Sequence, residues 1–154
     1  MLNASGFGEE LRPPRYTFIV HNAQALIAAF VRRSKRDRYR ETLSNPRLRH
    51  KFTSQLAHFT DFDPKYRLPI PSNKLFVDNI AAELQRRHSP NVVFAISEDP
   101  ALDQKELFLI EGLKQIVGRG MGTVLSCIPG RLAFVETEDE RFILERHDPL
   151  EKRE

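Results

Sequence analysis

The sequence predicts an α+β fold, a mostly antiparallel sheet of four to five strands that ends in a three-strand meander and packs against about four helices. Three observations carry this. Apolar residues recur at helical spacing through the first half and again before and after position 100. The apolar run Val92 to Ile96 has the length and composition of a strand covered on both faces. Three strand-like segments follow, Thr123 to Ile128, Arg131 to Glu136 and Arg141 to Arg146, separated by turn residues at Pro129-Gly130 and Glu138-Asp139.

The elements justify themselves in chain order. Residues 1–14, with two glycines and Pro13-Pro14, read as a loosely docked arm. Arg15 to Val20 is short for any periodicity, and its strand-favouring types tilt it towards a strand. Asn22 suits an N-cap, followed by Leu26, Ile27, Phe30 and Val31 on one face. This helix is expected to run to Leu43 with its second half solvated, because the apolar stripe ends at Val31. Asn45-Pro46 should break it and open the next helix, where Leu48, Phe52, Leu56 and Phe59 form one stripe ending near Thr60.

Pro64, Pro69 and Pro71 make 61–71 a connector. Ser72 or Asn73 should cap a third helix with Phe76, Val77, Ile80, Ala81 and Leu84 inward, stopped by Pro90. Asp103 and Glu106 resemble a capping box for a fourth helix, with Leu107, Ile110, Leu113, Ile116 and Val117 inward and Gly118 at its C-terminal stop. The chain is thus expected to be one domain over 1–154: arm 1–14, basic helical half 15–60, proline-rich connector 61–71, mixed α/β half 72–146 and tail 147–154.

Composition narrows the class. A chain of 154 residues, 40% hydrophobic and 29% charged, can bury a core without staples. Its apolar runs fall far short of the roughly 20 residues of a spanning helix, so no membrane association is expected. The first residues lack a basic segment followed by an apolar one, so no secretory signal is expected either. One cysteine, Cys127, permits no intrachain disulfide and no cysteine-based metal cluster. A reducing cytoplasm is the expected compartment.

Charge is the most informative feature. Residues 1–70 hold 13 Lys/Arg against 6 Asp/Glu, whereas 71–154 hold 11 against 15. Nine cations crowd into 32–51: Arg32, Arg33, Lys35, Arg36, Arg38, Arg40, Arg47, Arg49 and Lys51, opposed only by Asp37 and Glu41. Such a stretch can lie along a phosphate backbone through counterion release, with Tyr39 and His50 available to stack on bases. It can equally be a solvated face balancing the acidic half.

Other motifs carry less. Gly118, Arg119, Gly120 and Gly122 could form an anion nest. The loop, however, leaves a helix C-terminus and enters a strand, the unfavourable electrostatic end for phosphate, and matches no nucleotide fingerprint. A helix stop with a glycine bend explains it more simply. Cys127, flanked by apolar strand residues, reads as a buried thiol. His21, His50, His58, His88 and His147 show no metal-ligand spacing. Asp61, Asp63, Glu98 and Asp99 fit turns and caps.

No motif for a nucleophile, metal or cofactor emerges, so no catalytic residue, metal or cofactor is assigned. The expectation is a non-enzymatic binding or regulatory module that contacts a protein partner or another copy of itself, given the opposed charges of its halves. The alternative is RNA or DNA binding through 32–51. A small enzyme whose site is assembled from dispersed residues is the third reading.

Overall fold

The structure, a computed structural model, describes residues 16–148, with side-chain surroundings given from residue 21 onward. The expected arm at 1–14 and the last six residues of the tail lie outside the described residues. Among the described residues are five α-helices and six strands. The helices are α1 (Tyr16–Phe30), α2 (Arg36–Ser44), α3 (Arg49–Thr53), α4 (Val77–Arg86) and α5 (Leu109–Ile116). The strands are β1 (Arg67–Pro69), β2 (Val92–Ser97), β3 (Glu106–Phe108), β4 (Thr123–Ile128), β5 (Leu132–Glu136) and β6 (Arg141–Glu145). They form one antiparallel sheet in the order β1-β6-β5-β4-β2-β3.

The α+β class, the antiparallel sheet and the closing meander agree with the sequence. The counts differ: the short edge strands β1 and β3 lie where the sequence predicts connector and helix, and the expected 22–43 helix divides into α1 and α2. Leu68 faces Ile143 and Pro69 faces Phe142 in the β1–β6 register, so the supposed connector closes one side of the sheet. Proline is tolerated there because an edge strand has one side without a ladder. At the other side Leu107 faces Val93, which places the proposed capping box outside the helix. Asp103 instead receives the Ser97 amide at 2.9 Å, and α5 begins at Leu109.

Alternation along the strands divides the core in two. One face presents Phe94, Ile96, Val124, Val135, Phe142 and Leu144 to the helices of the first half. The other presents Val93, Ala95, Leu125, Leu132, Phe134 and Ile143 to α4 and α5. Helices therefore cover both faces, which explains why β2, β4 and β5 are apolar almost throughout.

Several expected boundaries shift. Residues 16–20 of the expected 15–20 strand are helical: α1 begins at Tyr16 and runs through Asn22, because no proline or glycine interrupts 16–30 and each added residue extends the hydrogen-bond ladder. Asn22 is consequently no cap but a buried residue of the helix interior, accepting the Ser126 hydroxyl at 3.1 Å. The expected 22–43 helix breaks after Phe30. Arg32 N–H donates to Asp61 O at 2.8 Å and Asp63 N–H to Phe30 O at 2.7 Å, while Val31 bridges Phe62. These pairings pull the backbone out of the helix.

Asn45 ends α2 rather than opening α3, its carboxamide oxygen accepting Arg47 N–H at 2.9 Å in a turn. The 45–60 helix shrinks to α3 followed by a single 3-10 turn at Leu56–His58, yet Phe52, Leu56 and Phe59 are all buried as expected. Likewise 72–74 is a 3-10 turn, and Phe76 precedes α4 with 66% of its surface exposed instead of facing the core. The C-terminus of α4 closes two residues before Pro90 itself: His88 takes φ 73°, Ser89 N–H reaches Leu84 O and His88 N–H reaches Gln85 O.

Candidate binding face

Helices α2 and α3 carry the basic stretch, and their inner faces are aromatic. Tyr39 and Leu43, four apart on α2, are buried, as is Phe52 on α3. The Tyr39 ring lies 5.6 Å from Phe52 and 5.1 Å from Phe59, and Phe59 lies 4.6 Å from Phe62. The Tyr39 hydroxyl donates to the Asp61 carboxylate. Burial, with Asp61 adding to it, pushes the Tyr39 pKa up to about 12. The second half of the expected 22–43 helix is therefore anchored to the core through Tyr39 and Leu43 and not solvated all round, and Tyr39 has no free face for a base to stack on.

The nine cations separate into groups. Arg49 is turned inward, its side chain 7% exposed, and pairs with Asp103. Arg36 donates to Val31 O at 3.0 Å, and Arg40 pairs with Asp37 at 3.0 Å. Arg33 is exposed and has its own contacts. Arg32, Lys35, Arg38, Arg47 and Lys51 make no ion pair among the described residues, and all but Lys35 are exposed. The Arg38 guanidinium lies over the Tyr39 ring, 5.6 Å from its centroid.

A groove of about 460 Å³ runs between α2 and α3. Arg38, Tyr39, Glu41 and Thr42 line it from α2, and Leu48, Lys51, Phe52 and Gln55 from α3 and its flanks. Its volume falls within the roughly 300–1,000 Å³ typical of ligand clefts. Charge counting found Arg38 and Lys51 but not the groove, since its apolar floor comes from two helices that only tertiary packing brings side by side.

The acidic half is largely spoken for. Asp103, Glu140 and Glu138 engage Arg49, Arg67 and His58 of the first half. Glu83 and Glu145 hold Arg87, and Glu136 holds Arg141. Asp78, Glu106 and Asp139 are the carboxylates of this half without an ion pair or hydrogen bond among the described residues.

The glycine loop does form a nest, and the protein's own carboxylates occupy it. Gly118 and Gly120 N–H groups donate to Glu136 Oε2 at 3.0 and 3.1 Å, and Arg141 donates to Glu136 Oε1 at 2.7 Å. Gly122 N–H donates to Glu98. Gly118 and Gly120 adopt φ of +89° and +68°. Arg119 is exposed beside them.

Cys127 is buried on β4, and loss of water pushes its thiol pKa up to about 12, which removes the thiolate at neutral pH. His58 faces Glu138 at 2.9 Å and His147 faces Glu145 at 3.2 Å, both exposed. Among the described residues no three His, Cys, Asp or Glu side chains are placed to hold a metal ion. None of the described helices is long and apolar enough to cross a membrane. Asp63 and Asp99 serve turns, accepting Lys65 and Ala101 N–H groups. Comparison with family models, curated proteins and solved structures gives no match in any of the three.

Proposed function

We propose that this chain is a non-enzymatic binding module whose contact surface is the basic α2–α3 face, and whose partner is an acidic protein. The observation that carries this is the asymmetry of pairing. Among the described residues, five cations of 32–51 make no ion pair, while most acids of the second half do. Unmatched positive charge is thus concentrated within 32–51, with Arg38 and Lys51 flanking one groove, where it can steer and hold a negative partner. The same bookkeeping argues for a separate partner over a second copy, whose acidic half offers few free carboxylates.

RNA or DNA binding stays the second reading, resting on the same five cations. It would proceed through phosphates alone as far as Tyr39 is concerned, since that ring is buried.

Anisotropy titration with polyglutamate tests the reading. Binding should weaken as salt rises, and the combined Arg38→Glu, Arg47→Glu, Lys51→Glu variant should lose it while staying folded. These side chains are exposed and make no ion pair among the described residues, so each reversal should alter stability by only about 0.5 kcal/mol, or up to about 1 kcal/mol at Arg38, which lies over the Tyr39 ring. Equal binding by the variant, or none by the unaltered chain at about 50 mM salt, would overturn it, because basic faces hold polyanions under those conditions.

A further inference from the structure

The α2–α3 groove is more than a charged strip. Its floor is carbon: Leu48 is half-buried, and the Tyr39 and Phe52 rings lie beneath. Arg38 stands on one wall and Lys51 on the other. A ligand that satisfies both parts needs apolar side chains to fill the groove and anionic groups to reach the two cations. Glu41, which lines the same groove without an ion pair among the described residues, disfavours an unbroken row of phosphates. Neither ring presents a face to a nucleobase.

Two further cavities among the described residues lack this combination. The one of about 280 Å³ beside β1 mixes Arg67 and Arg141 with Asp139 and Glu140, so its charges offset one another. The one of about 230 Å³ near Cys127 has Glu106 as its charged lining.

We propose that the groove between α2 and α3 docks a protein segment in which Asp or Glu residues are interspersed with Leu or Phe. This deepens, and rests on, the reading of α2–α3 as the binding face. The acids neutralise Arg38 and Lys51, and the apolar residues lose their own hydration as they seat against the exposed part of Leu48. Each fully seated Leu or Phe should contribute roughly tenfold or more in affinity. Each exposed ion pair should contribute no more than about fivefold.

The test uses the full chain and three fluorescein-labelled probes: a peptide of Glu and Asp interspersed with Leu and Phe, the same peptide with Ser at every apolar position, and a single-stranded RNA. The apolar-acidic peptide should bind at least about tenfold tighter than the serine peptide. Leu48→Ser should remove most of that difference and lower the melting temperature by only a few degrees, since Leu48 is half-buried, whereas Lys51→Glu should weaken both peptides with little change in melting temperature. Equal binding of the two peptides, with Lys51→Glu weakening both, would overturn the groove proposal while leaving the basic-face reading intact. Tight binding of RNA with weak binding of both peptides would overturn it in favour of nucleic acid. Failure of all three probes would overturn both readings.

Discussion

Arg49 and Asp103 meet in a two-point ion pair, Nε to Oδ2 and Nη2 to Oδ1, each at 2.8 Å, across 54 residues of chain. The pair fastens the start of α3 to the turn that follows β2. Asp103 also accepts the Ser97 amide, so one carboxylate organises the helical layer and the end of a central strand. Through it the basic stretch reaches directly into the acidic half.

Breaking that pair should be costly. Arg49→Ala leaves a partly buried carboxylate with only the Ser97 amide, and an orphaned member of a buried pair costs about 3–5 kcal/mol. Because Asp103 is 17% exposed, the low end is expected, about 3 kcal/mol. Arg49→Lys should restore less than half, since an ammonium cannot make the parallel two-point contact. Urea midpoints at unchanged slope measure this, and a loss within about 0.5 kcal/mol would show that the pair contributes nothing net.

Gly122 and Gly120 should fail differently when replaced by alanine. A Cβ on Gly122 would lie 2.2 Å from Ala57 N and 2.4 Å from Leu56 C, so backbone must move, at a cost of about 2–3 kcal/mol. Gly120 has room, its nearest contact being 3.7 Å away, but its φ of +68° should cost about 1–2 kcal/mol. Thermal melts without ligand would rank Gly122→Ala below Gly120→Ala. The reverse order would mean that the 56–57 turn yields easily.

Tyr39 should make stability fall in alkali. Its ordinary pKa of 10.0 is raised to about 12 in the fold, so the folded state holds the proton more tightly than the unfolded chain does. The contribution is fully present below pH 10.0 and is lost as pH rises towards about 12. Cys127 titrates in an overlapping range, so the comparison is with Tyr39→Phe, whose stability should decline less steeply between these limits. Parallel pH profiles for the two proteins would refute the assignment.

Much of the fold was legible because its physics is local. β4 has the bounds Thr123–Ile128 that alternation and flanking turns predict, and β2 differs from expectation by one residue. The Phe52, Leu56, Phe59 stripe is buried although the continuous helix that carried the expectation is absent. The spacing was right and the element wrong, since a short helix followed by a 3-10 turn keeps the same side inward. Phe76 failed for a related reason: it lies one position before the first helical residue, where the periodicity no longer applies.

The sequence by itself determined the class, the two-sided apolar strands, the meander and the concentration of cations at 32–51. These follow from side-chain alternation, turn residues and charge, each readable within a few positions. Tertiary structure alone decided where the α1 helix ends and which edge strands complete the sheet. It also turned Arg49 and Tyr39 inward and formed a groove between α2 and α3. Each of those outcomes depends on a partner far along the chain: Asp61 and Phe62 for Val31 and Arg32, β6 for β1, Asp103 for Arg49. Local composition does not encode such pairings. They are fixed when the sheet is buried from both sides and every displaced backbone and charged group must find a partner.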